Sequence, residues 1–510
     1  MSRRIHIAAV TVAAMASVAL SGCTGGGSTA PGGGAAPLSL SVGSLSDNNS
    51  WDLADLEIGN RTAYWQPIYD TLLVMSPGGE IEPNLATSWS YNDDNTVLTL
   101  QLREGVTFTD GAPFNGDAVK ASIDHLREGT GQNNFMAADV EEVEVISDTE
   151  VALHLAQPNP ALISYLTWVG GAMASPDAIE AGTLAEDPVG SGPYVLDQDA
   201  STPGSTYVYE RNDDYWNQEA FPYDEFTIQV LTDPTARVNA VKSGQVDGAL
   251  IVQQDAKDAE SAGLTLNTLP INWSGLLIGD RDGEITPALG DVRVRQAINM
   301  ALDRPALVDA LMMGYGEPTD QVFNTGSEAF DESLEGYYAY DPDKAKALLA
   351  EAGYPDGFEV VMPLTPGGET GFALYQQQLA DIGITVKSDL VAANEVITKY
   401  LSGEYSMFIM NLSSASAWQD IETWILPDAP WNMFDVEDPE LTKLIDAAQN
   451  LVDDADRAAA FQKVGAWLVE NAWFAPTLRP QNVFVSRDTI DVQMQAQNSV
   501  PSLRNFAPAS

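Results

Sequence analysis

The sequence predicts an α/β protein made of two bodies, one of which carries an extra small α+β subdomain. Strand-like and helix-like patterns alternate throughout residues 38–510, which is typical of mixed α/β folds. The apolar content of 45% in 510 residues is enough to fill a large core. Two separate stretches also show the order strand-helix-strand, and we interpret residues 269–273 between them as a crossing from one body to the other.

The N-terminus has the pattern of an exported lipoprotein, with a predicted signal peptide over residues 1–22. Arg3 and Arg4 precede an apolar run that is too short to span a bilayer. The tetrapeptide Leu-Ser-Gly-Cys that follows ends at Cys23, the single cysteine of the chain. A thiol without a disulfide partner favours lipidation of Cys23 and anchoring to the outer face of the cell membrane over an ordinary secretory leader. General and twin-arginine export both remain open.

Composition limits the partners of the chain. Residues 23–37 are rich in Gly and Pro and are predicted to form a flexible tether. The formal net charge is −49, from 24 Lys and Arg against 73 Asp and Glu, so nucleic acid and anionic lipid headgroups are poor partners. Because the acids are scattered, we interpret them as a solvated surface. Attraction of cationic ligands and solubility in a salty medium are the alternatives.

Residues 51–179 are predicted to form the small subdomain, with mostly antiparallel strands. Leu98, Leu100 and Leu102 alternate with more polar positions, as in a strand with one buried face. The segment 143–155 has two short apolar stretches around Asp148 and predicts a hairpin. The sequence Gly-Ser-Gly-Pro at 190–193 predicts a tight re-entry into the main sheet, made possible by the backbone freedom of glycine.

Two βαβ patterns define the larger bodies. Residues 226–252 predict strand, helix and strand, with Gly244 ending the helix, and residues 357–412 predict a longer βαβαβ unit with a parallel core. We therefore assign residues 38–50, 180–270 and 480–510 to lobe 1 and residues 271–479 to lobe 2. A cleft between two such lobes is the usual place for a small ligand.

Two helices begin and end at clear signals. Asp341 and Pro342 begin a helix that Gly353 ends, and Asp291 is the predicted N-cap of residues 292–302. On the second helix we expect Arg295 to pair with Asp291 one turn away. Structural use of Arg293 and Arg295 is favoured over binding of an anionic ligand.

Signatures of enzymes are missing from the sequence. After the signal peptide only His125 and His154 remain, and we expect both on the surface rather than as bases or metal ligands. The motifs of zinc proteases, serine hydrolases, β-lactamases and CxxC redox proteins do not occur. We therefore expect no enzymatic activity, cofactor or metal site. Because the chain has 73 acidic residues, neighbouring carboxylates do not indicate a catalytic pair.

Collinear motifs along the chain resemble one protein family. They are Ile68-Tyr-Asp-Thr-Leu-Leu73, Ile81-Glu-Pro-Asn-Leu-Ala-Thr-Ser-Trp89, Leu102-Arg-Glu-Gly-Val-Thr-Phe-Thr-Asp-Gly111, Pro188-Val-Gly-Ser-Gly-Pro-Tyr194, Arg211-Asn-Asp-Asp-Tyr-Trp216, Asp233-Pro-Thr-Ala-Arg237, Asp291-Val-Arg-Val-Arg-Gln-Ala-Ile298 and Ala352-Gly-Tyr-Pro355. This order resembles the extracellular solute-binding proteins of family 5, the oligopeptide-, dipeptide- and nickel-type receptors of ABC importers.

The resemblance implies a two-lobed periplasmic-binding-protein fold of type II, in its large peptide-binding form. It also implies a monomer that encloses a solute between its lobes, does no chemistry and delivers the solute to the permease subunits. We expect hinge strands near Ile271 and Arg479 to absorb the closure of the lobes.

By position, the ligand contacts implied by the resemblance lie in three segments. They are Ser44 and Ser46 after the first strand, Trp273 at the crossing, and the loop after strand 405–412, with a further candidate in the small subdomain at Trp168. The loop residues are Asn411, Ser413, Trp418 and Asp420. Aromatic rings provide large contact areas at low entropic cost, although the tryptophans are equally compatible with ordinary packing.

One position departs from the family pattern. Peptide-binding members hold the α-amine of the peptide with an acidic residue in this loop, where the present chain has Ala415. Asp420 replaces it if the loop is shifted, because a buried ammonium needs a carboxylate. Otherwise the serines and Asn411 favour a neutral ligand such as an oligosaccharide, and nickel is disfavoured.

Peptides are the favoured ligand class. The rival hypotheses are an extracellular hydrolase with a titratable pair in the cleft, and a signalling or adhesion protein.

Overall fold

The structure is a computed structural model that describes residues 38–509, apart from residues 394 and 452 and the side chain of residue 454. The predicted signal peptide, the predicted lipidation site Cys23 and the predicted tether lie outside the described residues. From Leu38 onward the chain forms one unit. Within the described part, no helix combines the length and apolar character needed to cross a membrane.

Strands and helices alternate along the described chain, as the sequence predicts. The strands are β1 Ser39–Ser44, β2 Leu73–Met75, β3 Ile81–Pro83, β4 Ala86–Tyr91, β5 Val97–Leu102, β6 Val140–Ser147, β7 Glu150–Leu155, β8 Tyr194–Thr202, β9 Thr206–Arg211, β10 Glu225–Val230, β11 Gly248–Ile251, β12 Thr265–Pro270, β13 Asn272–Ile278, β14 Gly316–Pro318, β15 Phe358–Leu364, β16 Ile384–Leu390, β17 Met407–Ser413, β18 Ala475–Ser486, β19 Ile490–Val492 and β20 Phe506–Pro508. The α-helices are α1 Thr62–Trp65, α2 Gly116–Glu128, α3 Phe135–Ala138, α4 Leu162–Tyr165, α5 Pro176–Ala181, α6 Pro234–Ser243, α7 Gln253–Ser261, α8 Val292–Ala301, α9 Arg304–Met312, α10 Pro342–Glu351, α11 Glu369–Asp381, α12 Val396–Leu401, α13 Ala417–Trp424, α14 Pro439–Gln449 and α15 Asp454–Glu470.

The main sheet has the strand order β17-β13-β18-β11-β1-β10-β9-β8, and β12 and β14 also pair with β18. Strand β1 runs parallel to both β10 and β11, with Ser44 opposite Val230. The predicted βαβ unit is therefore confirmed, with Asp233 as N-cap of α6 and Gly244 ending it in a left-handed conformation. Its two strands are not neighbours, since β1 from the start of the chain lies between them.

A separate antiparallel sheet with the order β4-β5-β7-β6 lies in the predicted small subdomain. Leu98, Leu100 and Leu102 on β5 are buried, so the alternating pattern marks the core face of this sheet. The predicted hairpin is confirmed as the antiparallel pair β6 and β7.

The predicted βαβαβ unit is correct in its elements and wrong in one pairing. Strands β15 and β16 are parallel over seven residues, from Phe358 opposite Ile384 to Leu364 opposite Leu390. Strand β17 instead pairs antiparallel with β13 in the main sheet. Most of β13 is buried, so its backbone groups need partners on both sides, and β17 and β18 provide them.

The chain passes at two places between the strands that pair with β12 and those that pair with β13, and the strand pairing changes there. Ile271 separates β12 from β13. In β18, residues before Arg479 pair with β13, whereas residues from Gln481 onward pair with β12. These are the positions of the expected hinges, and the lobe boundaries themselves stay predictions.

The predicted helix signals are confirmed, but one ion pair is wrong. Asp291 accepts a hydrogen bond from the Arg293 backbone, and its carboxylate pairs with the Arg293 side chain at 2.6 Å. Arg295 is buried and donates to the main-chain carbonyl of Leu289 at 2.8 Å. Because Asp291 is held at the helix start by its cap, its carboxylate meets the nearer arginine, and Arg295 faces the core.

Gly190 and Gly192 are needed for a reason other than the predicted one. Neither has a positive φ. An added Cβ at either position would collide with the backbone of Ile68. These glycines therefore allow close approach of two chain segments rather than unusual backbone angles.

Candidate functional site

A cavity of about 410 Å³ lies between the predicted small subdomain and helix α13 of predicted lobe 2. One wall contains residues from α3, α4 and the segments beside them, and the other contains one face of α13 and the following turn. The lining residues are Phe135, Ala138, Asp139, Asn159, Tyr165, Gln419, Glu422, Thr423 and Pro430. This volume is within the usual range for small-molecule sites.

Helix α13 separates its two faces clearly. Ala417, Trp418, Asp420, Ile421 and Trp424 are its buried residues. Gln419, Glu422 and Thr423 have the spacing i, i+3 and i+4, which places them together on the face that lines the cavity. Ser416 is the N-cap and accepts a hydrogen bond from the Gln419 backbone at 3.3 Å.

Aromatic rings form part of the opposite wall. Tyr165 is almost fully buried at 1% exposure, whereas Phe135 is 38% exposed. Their rings meet edge to face, with centroids 5.5 Å apart. Phe135 therefore supplies the accessible apolar area of this wall, and the Tyr165 ring packs behind it.

Two carboxylates supply the charge of the cavity. Glu422 accepts a hydrogen bond from the Tyr165 hydroxyl at 3.4 Å. Asp139 accepts one from the Asn159 amide at 2.7 Å. Burial raises the pKa of Glu422 to about 7, repulsion from Asp139 and Asp428 adds to the rise, and the neighbouring donors Trp418 and Tyr165 oppose it. None of the lining residues is a lysine, arginine or histidine.

Asp420, the predicted partner of a ligand ammonium, lies away from the cavity. It is 2% exposed, and burial raises its pKa well above the usual range. Its carboxylate accepts hydrogen bonds from the Ser414 hydroxyl at 2.5 Å and from the Ala415 backbone at 2.9 Å. Asp420 therefore fixes the loop before α13, and this geometry does not support the predicted contact with a ligand.

The predicted tryptophan contacts are packed into cores. Trp273 is completely buried, with its ring centroid 6.0 Å from that of Trp424 and 5.6 Å from that of Phe474. Trp418 is 3% exposed on the inner face of α13. Trp168 lines a different, narrow cavity beside Asp70. In this conformation none of the three lines the pocket.

The predicted polar contacts are also spread apart. Asn411 and Ser413 lie exposed on β17. The Ser44 hydroxyl donates to the Ser46 carbonyl at 2.8 Å, and Tyr64 donates to the same carbonyl at 2.7 Å. None of these four residues lines the pocket, and their roles as ligand contacts stay predictions.

The residues that do line the cavity were not among those predicted from the sequence. The polar triplet of Gln419, Glu422 and Thr423 has helical spacing and was the one available signal. Tyr165 and Asp139 come from short elements of the small subdomain, and no local pattern places them opposite α13.

Other polar groups outside the cavity have partners within the scaffold. Asp70, from the first family motif, accepts hydrogen bonds from the Tyr215 hydroxyl at 2.9 Å and the Trp216 indole at 3.0 Å. His125 lies 2.6 Å from Asp52, and His154 lies 2.9 Å from Glu144. Among the residues that the structure describes, no group of three or more His, Cys, Asp or Glu side chains is arranged to hold a metal ion.

Known proteins resemble this chain in sequence and in fold. Residues 80–429 match the family model described as "Bacterial extracellular solute-binding proteins, family 5 Middle". The glutathione-binding protein GsiB of Salmonella typhi is 31% identical over 339 residues. That match covers 64% of this chain and 64% of the length of GsiB.

Solved structures share the fold over almost the whole chain. HbpA2 from Haemophilus parasuis superposes with a TM-score of 0.83 and 22% identity, covering 92% of this chain and 100% of HbpA2. DppA from Helicobacter pylori, solved in complex with the peptide STSA, gives a TM-score of 0.73 at 22% identity, covering 93% of this chain and 99% of DppA. These likenesses confirm the predicted two-lobed α/β fold.

Proposed function

This chain belongs to the bacterial extracellular solute-binding proteins of family 5, and from that premise we propose that it captures a small solute and delivers it to an ABC importer. The solute is enclosed in the cavity between the small subdomain and α13, and a peptide is the favoured class. The protein binds its solute without chemical change. The observation that supports this proposal best is a cavity of about 410 Å³ with aromatic, amide, hydroxyl and carboxylate groups from two separate parts of the chain.

Contacts across the cavity support a closing motion of the lobes. The Tyr165 hydroxyl reaches Glu422, and the Gln449 amide donates to the Pro158 carbonyl at 2.8 Å. Both bonds join the small subdomain to predicted lobe 2. Rotation about Ile271 and Arg479 would break them and open the cavity. A solute that contacts both walls favours the closed arrangement, because its interactions are complete only there.

The proposal also includes a lipid anchor at Cys23 and the membrane permease as the partner. Lipidation of Cys23 holds the monomeric receptor at the outer face of the membrane, and residues 23–37 keep it within reach of the permease. A short tether raises the effective concentration of loaded receptor at its partner.

Small-angle X-ray scattering tests the proposal, combined with native mass spectrometry of the purified protein. We expect mass spectrometry to find a co-purified small solute. Adding that solute to dialysed protein should decrease the radius of gyration. An unchanged radius with a tightly bound solute would contradict closure, and recovery of a chemically altered solute would favour a hydrolase instead.

A further inference from the structure

We propose that residues 319–324 form a brace that couples helix α13 to both hinge strands, and that Asn324 and Ser414 are its positioning residues. The brace holds the hinge in the conformation in which the cavity is closed. This inference rests on the proposed function, because it assigns residues to the closing motion of the same receptor.

The first argument is the burial of the brace. Residues 319–324 follow β14 and belong to no helix or strand, yet all six are buried. Irregular segments usually run over the surface, because buried main-chain and polar groups need partners. Four of the six residues are polar: Thr319, Asp320, Gln321 and Asn324. The partners of this segment therefore indicate what it holds in place.

The second argument is that the brace contacts both expected hinges. The Asn324 side-chain amide donates to the Pro270 carbonyl at 2.7 Å, directly before Ile271. The Arg479 guanidinium donates to the Phe323 carbonyl at 2.9 Å. Two neighbouring residues of one segment thus bond to the end of β12 and to β18. Because Pro270 ends predicted lobe 1 and Asn324 lies in predicted lobe 2, the first bond crosses the predicted boundary.

The third argument is a continuous chain of hydrogen bonds from the brace to α13. The Asn324 backbone N–H donates to the Ser414 hydroxyl at 3.0 Å, and that hydroxyl donates to the Asp420 carboxylate at 2.5 Å. The Ser414 backbone N–H donates to the Ile271 carbonyl at 3.0 Å. All of these residues are buried. Removal of one member therefore leaves the others without partners.

This network links the cavity wall to the hinge. The carbonyls of Pro270 and Ile271 are consecutive in the chain, and both accept bonds from it. Rotation of the lobes changes the backbone angles at the hinge and turns these carbonyls away from their donors. A solute that holds α13 against the small subdomain keeps Ser414 and Asn324 in place, so the hinge keeps its closed conformation.

Double electron–electron resonance tests the inference in protein without solute, so the measurement does not depend on the identity of the solute. Nitroxide labels are attached at Asp148→Cys in the small subdomain and Ala447→Cys on α14, which are both exposed positions. The background is Cys23→Ser, so that no other cysteine takes a label. The distribution of distances between the labels reports how open the lobes are and how widely they vary.

Variants of the two positioning residues remove the link. We expect Asn324→Ala and Ser414→Ala to shift the distance distribution to longer values or to widen it, because the hinge carbonyls then lose their fixed donors. Asn324→Ser is the second variant at that position, since its shorter side chain does not reach the Pro270 carbonyl. Thermal unfolding followed by circular dichroism shows which variants are folded.

Two buried residues of the small subdomain are matched controls. The Asn133 amide donates to the Leu56 carbonyl at 2.8 Å, and the Ser122 hydroxyl accepts from the Ala174 backbone at 3.1 Å. Asn133→Ala and Ser122→Ala remove the same kinds of bond away from the hinge. They should lower the unfolding temperature without changing the distance distribution.

Three results would overturn the inference. They are an unchanged distribution in the folded variants at Asn324 or Ser414, a shift to shorter distances, and equal changes in the controls. The proposed function is decided separately by scattering of the wild type. If solute compacts the wild type while the hinge variants keep its distances, the receptor function stands and the brace fails. If a tightly bound solute leaves the radius of gyration unchanged, the closing motion itself fails.

Discussion

The hydroxyl of Tyr165 donates to Oε2 of Glu422 at 3.4 Å, which joins residues 257 positions apart in the sequence. Tyr165 lies at the end of α4 in the small subdomain, and Glu422 lies on α13. The bond therefore crosses the cavity proposed to hold the solute.

Tyr165→Phe should weaken the closed arrangement while keeping the ring packed against Phe135. We expect a threefold to tenfold loss of solute affinity, equivalent to about 1 kcal/mol for one hydrogen bond. Scattering without solute should show a more open protein. Tyr64→Phe is the control, because it removes a buried hydroxyl that bonds the Ser46 carbonyl, between the predicted small subdomain and predicted lobe 1 and away from α13. It should lower stability similarly without changing closure, and equal effects on affinity would contradict the prediction.

The raised pKa of Glu422, about 7 instead of 4.5, predicts a pH dependence of stability. The folded protein binds the proton more tightly than the unfolded chain, so this group's contribution to stability falls as the pH rises from about 4.5 to 7. The total is on the order of 1–3 kcal/mol. Urea unfolding of the wild type and Glu422→Gln at pH 4.5 and pH 8 measures it, since the variant does not titrate there. A difference that does not change with pH would contradict the raised pKa.

His125 on α2 and Asp52, the N-cap of the 3-10 helix Leu53–Asp55, form a second pH-dependent pair. Hydrogen bonding to Asp52 raises the pKa of His125, and the same bond lowers the pKa of Asp52. The contribution of the histidine is complete below its unfolded pKa of about 6.5 and is lost as the pH rises through its higher folded pKa. His125→Gln should therefore cost more at pH 5.5 than at pH 9, by at most about 1 kcal/mol for a partly exposed pair.

His154→Gln is the control for that measurement, because its pair with Glu144 is more exposed, at 37% and 55% of the two side chains. Its stability should equal that of the wild type at both values of pH. An effect of His125→Gln that is the same at both would contradict the assignment to the ion pair.

Arg479, at the second expected hinge, is 2% exposed and lies between two groups of strands. Its guanidinium pairs with Glu335 at 2.8 Å and donates to the Phe323 carbonyl at 2.9 Å. Arg479→Met should lower the free energy of unfolding by about 3 kcal/mol, because Glu335 then loses its cationic partner. Urea unfolding of this variant and of Arg479→Met with Glu335→Gln measures the effect. The double variant should recover part of the loss, and no recovery would contradict the explanation.

Cys23→Ser should release the receptor or leave an unprocessed precursor, because serine does not accept the lipid. Membrane fractionation and immunoblotting measure the distribution. Solute binding of the purified variant should equal that of the wild type. Retention of processed Cys23→Ser protein in the membrane fraction would exclude the lipid anchor.

The sequence was informative where a property repeats along a local element. Alternation at Leu98, Leu100 and Leu102 correctly indicated a strand with one buried face, and Asp291 and Gly244 correctly marked helix ends. Pairing between distant strands was harder to predict, because it depends on which edges remain open after folding. The position of β17 beside β13 is an example, since its own sequence would suit either sheet.

The candidate site was predictable at the level of two lobes and a cleft, but not residue by residue. Trp273 and Trp418 have no helical or strand period that distinguishes a cleft wall from a core, and the structure packs both. Asp420 and Glu422 are two positions apart on the same helix, about 200° around its axis, so they lie on nearly opposite faces and local sequence does not indicate which face is buried. The hydrogen bonds of Asp420 to Ser414 and Ala415 hold the face of Asp420 inward.

The two faces of α13 have different roles, and this affects which substitutions would change the selectivity of the receptor. Trp418, Asp420 and Trp424 hold the helix in place, while Gln419, Glu422 and Thr423 face the cavity. Under the proposed function, exchanges at the second set should change selectivity more than exchanges at the first set, which should mainly lower stability. The same three positions offer a compact library for converting this receptor into a sensor for a chosen metabolite.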